Sequence, residues 1–234
     1  MKYAPYSFSK IQTYFTCQKK FDFSYINKIE IDCDYSDPSY FVRGRFLHSY
    51  LADRLNGGDG LSSSGKYSVS TEDKLKLIEC GDAALENEFV QMSFDFDVTM
   101  IEKSISLDID LKPATSKKDI AIKGFCDYFA VSNDYAMIID WKTGKHRDNP
   151  NFSQLELYAI WVLQQHPEIT EMDLLFYYVE HDKFELKTVF TDDLKKLKKD
   201  LSSKIKTIEN TELFEKNIGN HCNDCPFLTS CSNV

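Results

Sequence analysis

Apolar positions change their period along the chain, and each change marks an element. In residues 7–26, SFSKIQTYFTCQKKFDFSYI, the residues Ile11, Tyr14 and Phe15 follow helical spacing, and Ser9 offers an N-cap. Residues 43–55, RGRFLHSYLADRL, carry Leu47, Leu51 and Leu55 as one stripe at i, i+4 and i+8, with His48 at its edge, which predicts a second helix. Asn56 to Asp73 is rich in Gly and Ser and predicts a flexible loop, placed to serve as a lid. Glu72 to Met92 reads as a helix, Phe94 to Leu111 as strands with alternating patterning, and Lys112 to Asp119 as a polar turn. Two aliphatic and aromatic runs then flank Ser132-Asn133-Asp134 within Ile120 to Lys145, the pattern of a β-hairpin. Asn151 to His166 is a helix whose start Pro150 and Ser153 favour. Met172 to Val179 and Phe184 to Phe190 form another hairpin, broken at His181-Asp182-Lys183. Thr191 or Asp192 caps a final helix with a stripe of Leu194, Leu197, Leu201, Ile205 and Ile208.

The first hairpin concentrates chemistry. With Asn133 and Asp134 as a two-residue turn, Asp127 stands directly opposite Asp140, and opposed Cβ atoms lie about 4.5–5.5 Å apart. Lys142, two residues beyond Asp140, shares that face. Two carboxylates so placed repel unless something neutralises them, and a hard divalent cation does so through their oxygens.

Composition narrows the setting. The 234 residues are 42% hydrophobic and 14% aromatic, enough for a packed core in one domain. A net charge of −9 argues against a nonspecific nucleic-acid coat, although a site that collects carboxylates for metals is itself acidic. Lys195, Lys196, Lys198, Lys199, Lys204 and Lys206 make the last helix the one strongly basic element, either a solvated face or a track for a DNA backbone. No apolar run approaches the roughly 20 residues of a membrane span, and the N-terminus lacks a signal-peptide core, so the expected location is the cytoplasm, the host's if the protein is phage-encoded. Seven cysteines in such a compartment are thiols or metal ligands. Cys222, Cys225 and Cys231 form Cys-x2-Cys-x5-Cys, which aims three thiolates at one centre and still needs a fourth ligand. Cys33, Cys80 and Cys126 have no partners of this kind. No phosphate-binding P-loop motif occurs.

Gly124-x-x-Asp127 and Asp140-Trp141-Lys142-Thr143-Gly144-Lys145 resemble the core of the PD-(D/E)xK nuclease superfamily, in its RecB-like branch. Four more motifs stand in the family's order: Ser7-x-Ser9 with Tyr14, Cys17, Phe21 and Phe23; Gly44-x3-His48; Gln154-x3-Tyr158; and the cysteine tail. Gln18 departs from the proline common there. The resemblance implies an α/β fold with a central mixed sheet flanked by helices, a restriction-endonuclease-like core over about residues 94–190. N-terminal helices in 7–55 and a C-terminal part in 191–234 would be stapled together by a metal cluster, all within one domain, 1–234. It implies Mg²⁺ or Mn²⁺ on His48, Asp127, Asp140 and the Trp141 carbonyl, with Lys142, Gln154 and Tyr158 completing the catalytic site. Glu102 stands where relatives often carry a glutamate, as a support to the metal site or a solvent-facing strand residue. Cys17 would join Cys222, Cys225 and Cys231 around a 4Fe–4S cluster, zinc with His221 or Cys17 being the alternative. The implied activity is an exonuclease on single-stranded DNA or DNA ends, serving recombination or CRISPR spacer acquisition beside integrase proteins, a helicase or a recombination partner. The alternative is a non-catalytic iron–sulfur DNA-binding or scaffold subunit.

Overall fold

A strand that is apolar on both faces needs a covering layer on each side, and that need organises the computed structural model, which describes residues 1–31 and 39–232. In chain order its helices and strands are α1 (Phe8–Thr16), α2 (Gln18–Phe21), α3 (Ser39–Leu55), α4 (Leu61–Ser64), α5 (Thr71–Glu86), α6 (Glu88–Met92), β1 (Val98–Leu107), β2 (Ile122–Ser132), β3 (Tyr135–Lys142), α7 (Ser153–Gln165), β4 (Glu171–Tyr178), β5 (Lys183–Phe190), α8 (Leu194–Glu209) and α9 (Leu228–Ser232). Among the described residues five strands form one sheet in the order β1-β2-β3-β4-β5. Strands β2 and β3 are antiparallel, β3 and β4 parallel, and β4 and β5 antiparallel. The sheet is mixed and flanked by helices, the α/β class expected.

Packing divides the chain into two compact units. One comprises Pro38–Ile105 and Phe125–Leu194. In it Tyr128 and Ala130 of β2, Met137, Ile139 and Trp141 of β3, and Leu175 and Tyr177 of β4 form one core with Phe46, Leu47, Tyr50 and Leu51 of α3 and Leu77 and Ala84 of α5. Alternate residues turn to the other face, where the Phe129 ring meets Trp161 of α7 at 6.2 Å and Phe176 meets Phe152 at 5.2 Å. Each fully buried aromatic or aliphatic side chain contributes about 1.5–3 kcal/mol. The other unit comprises Met1–Asp37, Ser106–Gly124 and Lys195–Val234. There α8 buries Leu197, Leu201, Ile205 and Ile208, four of the five residues of its predicted stripe; Leu194 is half-buried. Its Glu209 carboxylate accepts from Lys2 N–H (2.6 Å), Tyr3 N–H (3.1 Å) and Tyr6 O–H (2.7 Å).

Several boundaries differ from the sequence expectation. Ser7, not Ser9, caps α1, its Oγ accepting from Lys10 N–H at 3.2 Å. Helix α3 begins at Ser39 rather than 43. The stretch 56–73 is not one loop: Gly60 at φ 79° opens α4, Asp59 Oδ1 accepts from Leu61 and Ser62 N–H, and Ser70 caps α5. The helix expected over 72–92 is two, because Asn87 turns to ψ 129° and caps α6 by accepting from Phe89 N–H at 3.0 Å. Residues 94–111 hold a single strand, β1, after a 3-10 turn over Ser93–Asp95. Neither Thr191 nor Asp192 caps α8; Asp193 Oδ2 accepts from Phe190 N–H across the 3-10 turn that precedes it. Cys33 lies outside the described residues. Among the described residues no helix is long and apolar enough to cross a membrane.

Candidate functional site

The β2–β3 hairpin has the expected register. Tyr128 pairs with Ile139 and Ser132 with Tyr135, Asn133 takes the left-handed conformation (φ 52°), and Asp127 and Asp140 are the residues that directly precede and follow the Tyr128–Ile139 pair. Both carboxylates are buried. Asp127 Oδ2 accepts from Trp141 N–H at 3.0 Å, and His48 Nδ1 of α3 lies 3.2 Å from it. Gly44, one turn before His48, faces the end of β3: a Cβ there would stand in van der Waals contact with Thr143 Oγ1, at 3.4 Å. Asp140 is held from its own side of the sheet. Gln154 Nε2, on the first turn of α7, donates to Asp140 Oδ1 at 2.6 Å, and Lys142 Nζ lies 2.5 Å from Oδ2. That Oδ2 is buried and satisfied by no hydrogen bond of proper geometry among the described residues. Gln154 also accepts from Lys142 Nζ at 3.2 Å and donates to the Tyr158 hydroxyl at 3.1 Å. One amide thus links the carboxylate, the ammonium and the phenol.

Glu102 completes the arrangement. His48, Glu102 and Asp127 each present a ligand atom within 4.8 Å of the other two. Asp140 is not of that triplet; it stands beside it, tied to Lys142 and Gln154. Burial works against charge on His48, yet the Asp127 carboxylate first, with Asp140 and Glu102, holds the imidazole pKa up to about 9. Desolvation, then the Asp127 charge, pushes Glu102 up to about 7. Burial and Asp127 push Asp140 upward, against the pull of Lys142 and His48. Burial, then the Asp140 charge, drives the Tyr158 phenol far above its ordinary range, so it remains a hydroxyl. Crowded carboxylates and an imidazole suit a hard divalent cation such as Mg²⁺ or Mn²⁺, and these residues fit one. The Trp141 ring belongs to the core while its N–H serves Asp127. The sequence left Glu102 open between support to the metal site and a solvent-facing strand residue; its carboxylate lies within 4.8 Å of the His48 and Asp127 ligand atoms. Its φ of 49° breaks the alternation of β1 from which its direction would have been read. A second group, His146, Asp148 and Glu185, also converges within 4.8 Å, and no sequence signal joins Glu185 to the other two.

The other unit gathers the cysteines. Cys17, Cys222, Cys225 and Cys231 together line one cavity of about 40 Å³, closed by Phe23, Phe227 and Ile218. The tail reaches them because Lys19 N–H donates to Glu215 O at 2.9 Å and Asn217 Nδ2 to Thr16 O at 2.8 Å. His221 Nε2 is occupied with Asn217 O at 2.7 Å. Four soft sulfur donors around one apolar pocket are the donor chemistry that an iron–sulfur cluster takes.

Comparison with known proteins places the chain. The model of the PD-(D/E)XK nuclease superfamily matches residues 5–232. A search of curated proteins finds no match. A solved structure titled "Crystal structure of SSO0001" aligns with a TM-score of 0.36 and 16% identity over 94% of this chain and 96% of that one.

Proposed function

This chain belongs to the PD-(D/E)XK nuclease superfamily, and on that premise we propose that it is a Mg²⁺- or Mn²⁺-dependent DNA nuclease of the RecB-like branch, an exonuclease on single strands or DNA ends. The observation that carries the reading is the convergence of His48, Glu102 and Asp127 beside the Asp140–Lys142–Gln154 chain. His48, Glu102, Asp127, Asp140 and the Trp141 carbonyl would hold the ion. When bound, a divalent ion polarises the scissile phosphate and acidifies a water. Lys142 places positive charge where the transition state gains negative charge. Gln154 fixes Lys142 and Asp140 relative to each other, so neither swings away as substrate enters. Tyr158 stays protonated and positions the strand through its hydroxyl.

Cys17, Cys222, Cys225 and Cys231 would hold a 4Fe–4S cluster with a structural role, joining the chain's first helices to its tail within one nuclease domain spanning 1–234. The biological setting we favour is end-processing in recombination or CRISPR spacer acquisition, with integrase or helicase partners. The test is incubation of anaerobically purified protein with end-labelled single- and double-stranded DNA, with Mn²⁺ or with EDTA. Wild type should degrade the single strand only with metal, and Asp140→Ala and Lys142→Ala should lose at least about 100-fold in rate. Full activity in Lys142→Ala would sink the assignment; inert, iron-loaded wild type would favour the scaffold role.

A further inference from the structure

The net charge of −9 is unevenly divided. The unit that bears His48, Asp127 and Asp140 carries 12 Lys and Arg against 24 Asp and Glu, while the other carries 16 against 13. A polyanion is repelled by the first and not by the second. Within the second, the positive charge is ordered along α8. Lys195, Lys199, Ser202 and Lys206 follow i, i+4, i+7 and i+11, one straight ridge on a 3.6-residue helix. Lys195, Lys196, Lys199 and Lys206 are exposed, and none is ion-paired with a described residue. The buried stripe of Leu197, Leu201, Ile205 and Ile208 fixes the opposite side of the helix, so the ridge cannot turn inward. Of the helix's two carboxylates, Glu209 is occupied by the backbone of Lys2 and Tyr3 and the Tyr6 hydroxyl. Like charges at i, i+4 destabilise a helix; a bound row of phosphates removes that cost. From Lys195 to Lys206 the ridge rises about 16 Å at 1.5 Å per residue, long enough to meet a few successive backbone phosphates.

We propose that the α8 ridge of Lys195, Lys199 and Lys206 is a backbone-binding track for single-stranded DNA, holding the substrate by its phosphates without regard to sequence. The inference rests on the nuclease reading for its choice of polyanion. Lysines on one rigid helix, with a serine between them, offer phosphate contacts and no base-reading fork.

The test is a fluorescence-polarisation titration of the full-length protein against a labelled oligo-dT strand, without added divalent metal, at several salt concentrations. Three proteins are compared: wild type, the triple variant Lys195→Glu/Lys199→Glu/Lys206→Glu, and a control triple in the acidic unit, Lys66→Glu/Lys74→Glu/Lys183→Glu. The α8 triple should bind at least about tenfold more weakly, with a salt slope shallower by about 2, since each single-strand phosphate contact contributes about 0.7. The control should stay within about twofold. An α8 triple that binds like wild type, or a control that loses as much, overturns the proposal. If reversal of charge unfolds the helix, the Lys→Gln triple carries the same test with a smaller expected loss. The nuclease reading is scored apart, by adding Mn²⁺ to wild type on the same strand. Tight binding without degradation defeats that reading alone, and degradation with an unimpaired α8 triple defeats the ridge alone.

Discussion

At the scale of single residues, Glu102 is held in a conformation that side chains other than glycine adopt at a cost of roughly 1–3 kcal/mol. The strained turn in β1 brings its carboxylate to His48 and Asp127. Strain and ligand can be separated by substitution. Glu102→Ala keeps the unfavourable φ and removes the carboxylate; Glu102→Gly removes both. The glycine variant should unfold at higher denaturant than the alanine variant, by about 1 kcal/mol, while both lose Mn²⁺ affinity equally in calorimetric titration. A glycine variant no more stable than alanine would remove strain from the account. Gln154 makes a second residue-scale prediction. It holds Asp140 and Lys142 by the two ends of one amide, so Gln154→Ala should lower kcat by about 10–100-fold with little change in melting temperature. An unchanged kcat would reduce Gln154 to a helix residue near the site.

Elements bring these residues together, and Glu180 joins three of them. It lies in the 3-10 turn after β4, accepts from Arg43 of α3 at 2.7 Å, and pairs with Lys76 of α5 at 2.8 Å, while Arg43 also meets Asp73. Burial alone would raise the Glu180 carboxyl, but Lys76 and Arg43 outweigh it and leave the pKa below the ordinary 4.5. A carboxyl depressed on folding contributes stability above its unfolded pKa, and that stability is lost as pH falls through the folded value. Denaturant midpoints should therefore fall as pH drops below about 4.5, and Glu180→Gln should be less stable near neutrality with a flatter acid limb. A variant with an unchanged acid limb would place the acid sensitivity elsewhere. The β2–β3 hairpin was legible in the sequence because strand alternation and an Asn-Asp turn are local, and they alone set Asp127 opposite Asp140. The stripe of α8 was legible for the same reason. The break at Asn87 and the turn of Glu102 were not, since each is a single backbone angle decided by packing. Nor was the meeting of His146 with Glu185, which depends on the β4–β5 hairpin lying parallel beside β3 after the α7 crossover.

For the molecule as a whole, the four cysteines predict a composition. Protein purified anaerobically should carry about four iron and four sulfide per chain, and Cys17→Ser should lose the iron and melt at lower temperature. Stoichiometric zinc in iron-free wild type would replace the cluster with a tetrahedral ion. The cysteine-bearing unit is drawn from three separated stretches of sequence, two of them at the chain's opposite ends. Synthesis runs from one end to the other, and that gives the arrangement a meaning in time. All of the sheet and every proposed ligand of the divalent ion have been made once Leu194 is added, yet Cys17 then still waits for the thiols of Cys222, Cys225 and Cys231. A chain released early would carry the carboxylates without the lysine helix or the sulfur pocket. A filled sulfur pocket is therefore a certificate that translation has passed Cys231.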